Sequence, residues 1–321
     1  MNYRIIVNPT AGRGAGERAI PQIEQRLQAQ GLSYDLVRTQ RPWHAAQLAH
    51  DAAQAGYDVI VAVGGDGTAN EILNGLMRIP KAERTCAMGV LCVGRGNDFA
   101  FGAGVPAGLV EGVQVLAEGC RRTIDVGHVV GGDYPEGRYF GNGIGIGFDA
   151  VVGFVAAKMK RVGGFLAYVI ATLRTVYLYY PAPTVSLTWT NGNDGHRQDT
   201  TLPALMVSVM NGRRMGGGFM MAPQGEPTDG LLDLCVAEQV SRLGVFRMVP
   251  HFMRGTQATQ AAITTGRASR LVVSAADGDT LPAHADGETL CTAGRRLEVT
   301  VVPQQIDILC SRDLVYDHVR D

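Results

Sequence analysis

An excess of charge of either sign is missing from this sequence: 29 Lys and Arg stand against 30 Asp and Glu, a formal net charge of −1. No global field therefore favours nucleic acid or an anionic membrane, and any lipid contact has to come from a local patch. Metal-ligand spacing is missing too. The six cysteines, at 86, 92, 120, 235, 291 and 310, make no C-x-x-C pair and have no histidine at zinc spacing. That pattern argues against a zinc site and leaves buried thiols in a reducing compartment as the expectation. Long apolar runs are absent: the longest, Phe165 to Tyr180, is interrupted by Arg174 and falls short of a bilayer span. The Met1–Val7 stretch is too short for a signal peptide and lacks a cleavage site. A cytoplasmic protein that touches the inner face of the membrane without crossing it is the expectation. Internal repeats and low-complexity tracts are also lacking.

Glycine, by contrast, is abundant. Its 42 residues are roughly double ordinary usage, and they cluster in short motifs where backbone must turn sharply or approach a ligand. Residues 1–124 alternate strand and helix signals. The strands are Arg4–Val7, Tyr34–Arg38, Val59–Val63 and Met88–Val93, the last two being continuous apolar runs suited to a parallel sheet covered on both faces. Helical patterns lie between them, with Ile20, Ile23 and Leu27 on one face of the first and Ile72, Leu76 and Ile79 in register on a later one. This βαβαβ order predicts an open, mainly parallel α/β nucleotide-binding domain with ligands at the carboxyl ends of the strands. From 125 to 305 strand-like runs dominate, at Tyr139–Ile146, Thr184–Trp189, Ala204–Val209, Leu231–Val236, Leu271–Ser274 and Leu297–Val302. One helical hairpin interrupts at Val151–Tyr180. The expected second domain is mainly antiparallel and β-sandwich-like.

Three turns carry chemistry. Gly64-Gly65-Asp66-Gly67-Thr68-Ala69-Asn70-Glu71 follows a buried strand and opens a helix. Glycines there let backbone N–H groups converge on an anion at the positive end of the helix. Asp66 adds a carboxylate that acts on magnesium or fixes a network. A tight turn capped by Thr68 is the plainer alternative. The pattern is neither G-x-x-x-x-G-K-[ST] nor the protein-kinase glycine loop. Gly94-Arg95-Gly96-Asn97-Asp98-Phe99 follows the next buried strand and should lie beside the first loop, with the Asn8-Pro9 turn completing one crevice. The plainer alternative is an Asx turn capping a helix. Asp286-Gly287-Glu288 places a carboxylate on a turn, able to take a proton from an alcohol during phosphoryl transfer, with Glu288 facing the same way to help hold a metal. A solvated acidic turn is the alternative there.

These motifs, in this order, resemble the diacylglycerol kinase catalytic-domain family of bacterial lipid kinases and sphingosine kinases. The similarity extends to Asn142-Gly143-Ile144-Gly145-Ile146-Gly147-Phe148-Asp149, to Gly216-Gly217-Gly218 with Ala222-Pro223, and to Asp229-Gly230-Leu231-Leu232-Asp233. The resemblance implies ATP and Mg2+ as cofactors and a membrane lipid as phosphate acceptor, diacylglycerol first, in phospholipid biosynthesis. It implies a lipid hydroxyl entering at a cleft, a segment from about 306 to 321 returning to the first domain, peripheral membrane contact and no nucleic acid. A homodimer is left open. Nucleotide contacts would fall on Asn8, Thr39, Gly64, Gly65, Asp66, Gly67, Thr68, Ala69, Asn70, Arg95 and Asn97. Asp286 would be the catalytic base, with Glu288 and Asp66 supporting catalysis. Glu226, Asp229 and Leu231 would hold a second-domain magnesium. Two other readings stand beside this one: a soluble kinase of the NAD-kinase type, which shares the G-G-D-G loop, and a nucleotide- or lipid-binding protein without catalysis. Lys158, Lys160 and Arg161 are candidates for lipid headgroups, though a solvated helix face is the commoner meaning. Met206, Met210, Met215, Met220 and Met221 line an acyl pocket on one reading and pack a core on the other.

Arg95 stands where the family has threonine. A guanidinium cannot copy a hydroxyl's hydrogen bond, but it pairs bidentately with phosphate. Arg95→Thr should therefore weaken ATP binding by about 1.5–3 kcal/mol, the usual range for a charge-assisted bond, and make it less sensitive to salt. Titration of both proteins with ATP at two salt concentrations measures this. Tighter binding by the threonine variant at both would mean that the arginine obstructs the crevice.

Overall fold

The computed structural model describes residues 1–94, 96–159, 165–178, 181–192 and 195–312. The chain forms two compact units: Met1–Asp125 together with the segment beginning at Gln304, and Val126–Pro303.

The first unit contains β1 (Asn2–Val7), α1 (Ala11–Ala29), β2 (Ser33–Arg38), α2 (His44–Gln54), β3 (Val59–Gly64), α3 (Asp66–Leu76), β4 (Ala87–Cys92), α4 (Asp98–Gly102) and α5 (Leu109–Glu118). Strands β2, β1, β3 and β4 lie side by side in that order, all parallel. Every residue of β3 and β4 is buried, as a sheet covered on both faces requires. The connection from β1 goes to one side and that from β3 to the other, so the strand order reverses between β1 and β3. Ligands bind at such a switch point in open α/β sheets. The helices pack through small residues: Ala45, Ala46, Ala49 and Ala52 form the buried face of α2, and a Cβ on Gly75 of α3 would overlap the Ala46 backbone. Helix α1 is irregular at Gly12, Arg13 and Gly14, which are left-handed, and its regular part buries Ile20, Ile23 and Leu27.

The chain leaves this unit in β5 (Arg121–Gly131) and returns in the last part of β14 (Arg296–Leu309). Ile308 pairs with Met88 beside β4. Hydrogen bonds secure the return, among them Gln304 N–H donating to the fully buried Asp125 carboxylate at 2.7 Å, Thr123 donating to Asp307 at 2.6 Å and Arg84 donating to Gln305 O at 2.8 Å.

The second unit contains β6 (Tyr134–Phe140), β7 (Gly143–Gly147), α6 (Phe148–Ala157), α7 (Phe165–Leu178), β8 (Thr184–Asn191), β9 (Arg197–Met210), β10 (Leu232–Glu238), α8 (Arg242–Arg254), β11 (Ile263–Ala275), β12 (Leu281–Ala285), β13 (Glu288–Gly294) and the start of β14. Pairing is antiparallel. Strand β9 lies against β8 with its first half and against β10 with its second. Strand β11 likewise serves β10, then β8 and β14. These shared strands bend the sheet over a core that includes Val185, Leu187, Val207, Val209, Leu234 and Leu271. A second cluster, under α6, α7 and α8, is rich in methionine and phenylalanine.

Three elements depart from the sequence expectation. The single strand expected over Tyr139–Ile146 is broken at Gly141 and Asn142, because the backbone N–H groups there turn to a carboxylate of another segment instead of a ladder. Helix α5, capped by left-handed Gly119, was not anticipated. Nor was α8, which the Ser241 side chain caps by accepting from Gly244 N at 3.1 Å and which carries Pro250 inside it. No disulfide joins the six cysteines, five of which are buried. Burial pushes the Cys235 thiol up to about 12, which leaves it protonated and unreactive.

Asp233 on β10 is largely buried, and desolvation raises its carboxyl to about 6, against a smaller opposing effect of Arg213. A folded-state value above the unfolded one means that the protonated form is favoured by folding. The contribution of Asp233 to stability should thus be greatest below about pH 4 and be lost as pH rises through about 6, by up to about 3 kcal/mol. Asp233→Asn should remove that dependence, gaining stability at pH 7.5 and nothing at pH 4. Urea unfolding of both proteins at the two pH values measures the difference.

Candidate functional site

The carboxyl edge of the parallel sheet brings three turns together. Asn8, just after β1, donates from its backbone N–H to Val63 O at 3.0 Å and from its amide to Thr68 Oγ1 at 3.0 Å. Its Oδ1 accepts from Thr10 N at 3.1 Å, closing the turn. Val93 and Gly94, after β4, both donate to Gly64 O, at 3.0 and 3.1 Å. Asp66 Oδ1 accepts from Phe99 N at 2.9 Å, so the first residue of α3 ties down the start of α4. Thr39, after β2, donates to Val7 O at 2.8 Å on the same edge. The expected residues Asn8, Thr39, Gly64 to Gly67 and Asn97 thus lie at strand ends, turns and a helix start along one edge of one sheet.

Close backbone approach explains the glycines. A Cβ on Gly65 would lie 3.1 Å from the Gly94 Cα, and a Cβ on Gly94 would overlap Gly65 outright. Gly65 is the N-cap of α3 and offers no side chain to its first turn; Thr68 is not the cap. Gly65, Asp66 and Gly67 remain partly accessible, whereas Thr68, Ala69 and Asn70 are buried. Asn70 accepts from Asn74 within the helix. Glu71 accepts from Ala45 N at 3.0 Å at the start of α2 and so serves packing. Asn97 is left-handed, and its buried Oδ1 has no hydrogen-bond partner among the described residues. Asp98 is buried at the start of α4. Arg95 lies outside the described residues.

In the second unit, Asp286 closes the β12–β13 turn with φ +48°. Its carboxylate accepts from Gly141 N at 2.8 Å, Asn142 N at 2.9 Å and Gly143 N at 3.0 Å. Asp286 N in turn donates to Gly143 O at 2.9 Å. The group is buried, and three backbone donors fix its orientation. Glu288 is exposed, whereas Asp286 is buried.

Two residues before Asp286, buried His284 accepts at Nδ1 from Gly287 N at 3.3 Å, which places the ring proton on Nε2. That nitrogen faces Asp149 Oδ2 at 3.6 Å. A Cβ on Gly145 would overlap both side chains, so this contact exists only over a glycine. Asp149, in the first turn of α6, lines a pocket. Phe148, Met206, Met215, Met221, Met248 and Phe252 form much of its wall, with Asp149, Thr172 and Glu238 as polar members. Of the methionines, Met206, Met215 and Met221 face this pocket, and fully buried Met210 packs the core. Asp149 and His284 were missed as site residues; the G-I-G-F-D run was legible, but its meeting with His284 depends on β7 pairing with β12.

The 226–231 loop offers carboxylate and carbonyl oxygens, the donor class that a hard cation such as magnesium takes. Asp229 Oδ1 accepts from Leu231 N at 2.9 Å, its Oδ2 is paired with the Arg267 guanidinium, and Glu226 accepts from Thr228 at 2.9 Å. The donor set fits magnesium in kind, with Arg267 supplying the positive partner of Asp229 in this structure. Among the described residues no three His, Cys, Asp or Glu side chains gather around one point. Magnesium commonly needs only one or two carboxylates and fills the rest with water and phosphate.

Residues 2–129 match the diacylglycerol kinase catalytic domain, and residues 142–310 match the YegS C-terminal NAD kinase beta sandwich-like domain. The chain belongs to the diacylglycerol kinase catalytic-domain family. A diacylglycerol kinase of Bacillus subtilis (strain 168) is 29% identical over 287 residues, covering 89% of each chain. A protein of Enterobacter sp. (strain 638) named "Probable lipid kinase YegS-like" is 31% identical over 224 residues, 70% of this chain and 71% of its own. The crystal structure of a diacylglycerol kinase from Bacillus anthracis str. Sterne superposes with a TM-score of 0.73 over 98% of both chains at 20% identity, a likeness of fold. The names of these relatives and the shared family support a lipid kinase, and a kinase implies ATP as phosphate donor.

The loop contact between Gly65 and Gly94 generates a graded expectation for this lipid kinase. Gly65→Ala needs a shift of a few tenths of an ångström and should fold, with weakened ATP binding. Gly94→Ala meets backbone and should lower the melting temperature as well. Gly65→Val adds a branch at the same tight point and should abolish ATP binding. Calorimetric titration beside thermal melts separates these effects, and undiminished ATP affinity in Gly65→Val would remove the phosphate crevice from this edge.

Proposed function

We propose that the acceptor is diacylglycerol and that Asp286 is the base of the transfer. The observation that carries the acceptor is the pocket of the second unit. Its wall is methionine, phenylalanine and valine, and its polar members include the carboxylates of Asp149 and Glu238. Acyl chains suit such a wall. A headgroup that donates a hydrogen bond suits the carboxylates, while an anionic headgroup would be repelled. Diacylglycerol has one free hydroxyl and no charge. A nicotinamide nucleotide, the acceptor of the soluble-kinase alternative, would leave phosphates and riboses against methionine and phenylalanine.

In the reaction, the hydroxyl oxygen bonds to the γ-phosphorus of ATP, the bond to the bridging oxygen breaks, and ADP leaves with that electron pair. The hydroxyl proton passes to the Asp286 carboxylate. Backbone N–H groups around Gly65 to Gly67 hold phosphate oxygens, and Asp66 keeps the loops after β3 and β4 in register through Phe99 N. Magnesium, when bound, supplies charge neutralisation on the phosphates; Glu226, Asp229 and the Leu231 carbonyl would hold a further ion in the second unit. Three fixed donors leave Asp286 little freedom to reorient, which suits a base that must meet one proton in one place.

Incubation with radiolabelled ATP and separate lipids should label diacylglycerol, giving a phosphatidic acid product, in preference to phosphatidylglycerol. Asp286→Asn should lower turnover by about 10²–10⁴-fold, the usual loss of a general base, while ATP affinity changes little. The amide keeps the shape but cannot fully serve three N–H donors, so a thermal melt must accompany the rate. Near-normal turnover in a folded variant, with chemistry limiting, would exclude Asp286 as the base.

A further inference from the structure

Exposed large apolar side chains are few among the described residues, and four of them, Leu173, Tyr177, Leu243 and Met253, lie on α7 and α8. Leu173 and Tyr177 are four residues apart and share one face of α7; Tyr177 is 72% exposed. The Arg242 guanidinium at the start of α8 lies 5.8 Å from the Tyr177 ring, so the two helices present these groups side by side. Helix α8 has two working faces. Val245, Met248, Val249 and Phe252 turn inward and line the pocket. Leu243, Arg247, Pro250 and Met253 turn outward and are exposed.

Charge on these helices is one-sided. They carry Arg174, Arg242, Arg247 and Arg254 and no Asp or Glu, in a chain whose formal net charge is −1. Exposed arginines interleaved with leucine, tyrosine and methionine fit the boundary between anionic headgroups and acyl chains. A protein partner would match apolar groups as well, but the absence of acidic residues along two whole helices is specific complementarity to a negative surface.

We infer that the outer faces of α7 and α8 form a docking surface for an anionic lipid bilayer, set against the wall of the pocket that the acceptor would enter. This rests on the lipid-kinase reading only for the role of the pocket. It differs from the basic cluster singled out in the sequence: Lys158 is exposed after α6, and Lys160 and Arg161 lie outside the described residues.

The test is co-sedimentation of the whole protein, without ATP or diacylglycerol, with vesicles of phosphatidylcholine alone and of phosphatidylcholine mixed with phosphatidylglycerol. Wild type should pellet with the anionic vesicles in a salt-sensitive manner and hardly with the neutral ones. Arg174→Gln with Arg247→Gln should weaken partitioning about fivefold per arginine, about 25-fold together. Leu243→Ser should weaken it by about tenfold more. All three side chains are exposed, so melting temperatures should be unchanged, and phosphorylation of a detergent-dispersed acceptor should stay near wild type. Equal pelleting of wild type and the arginine variant overturns the proposal. So does wild-type binding that ignores vesicle charge, or a dimer in solution that Leu243→Ser dissociates, which would assign the face to a second copy. Because no phosphate is transferred in the sedimentation, its failure is separate from failure of the kinase reading.

Discussion

No side chain fits where the loops after β3 and β4 meet. The backbones of Gly65 and Gly94 approach so closely that a Cβ on Gly94 would overlap its neighbour, and both Val93 and Gly94 donate to the Gly64 carbonyl. That steric constraint organises the first unit. It brings the uncapped start of α3 to the strand-order reversal, and it places Asp66 where its carboxylate can receive Phe99 N. Asn8 then joins the third loop through Thr68. The arrangement is made of backbone, and backbone N–H groups are the usual partners of phosphate at such an edge.

The second unit uses a carboxylate where the first uses glycine. Asp286 receives three backbone N–H groups from the interruption between β6 and β7, and this is why that strand is interrupted. One hairpin turn thus orients the carboxylate and sets the entry to β7. The same hairpin carries His284 to Asp149 across Gly145, so the turn of the proposed base and the polar end of the pocket are built on one hairpin. A change at Asp149 or His284 would therefore be felt at the Asp286 turn without altering the base itself.

Polarity divides the helices of this unit by face. The inner side of α8 completes an apolar pocket, and its outer side mixes arginine with leucine and methionine. None of the described helices is long and apolar enough to cross a membrane. A near-neutral chain has no long-range attraction to an anionic surface, so the proposed docking rests on a local set of arginines on two acid-free helices.

Much of the first unit was legible in the sequence, because strands buried on both faces read as apolar runs and glycines mark close approach directly. Val59–Val63 and the G-G-D-G-T turn announced both the strand and the loop after it, and the ordered motifs identified the family. Roles within the motifs were less legible. Within the G-G-D-G-T-x-N-E stretch, Thr68 also fills the space beside Gly64, and Glu71 accepts from the start of α2. Glu288 follows Asp286 by two positions, but the turn buries one and exposes the other. Helix α8 escaped notice because its two faces are both partly apolar, which blurs the helical period. By itself the sequence determined the strand and helix grammar of the first unit, the phosphate-type loops and the family, since each is encoded by neighbours along the chain. Only the tertiary structure decided that Asp286 binds the backbone of 141–143, that His284 meets Asp149, and that α7 and α8 share a basic surface, because those partners lie tens to more than a hundred residues apart and are joined only by strand register and packing.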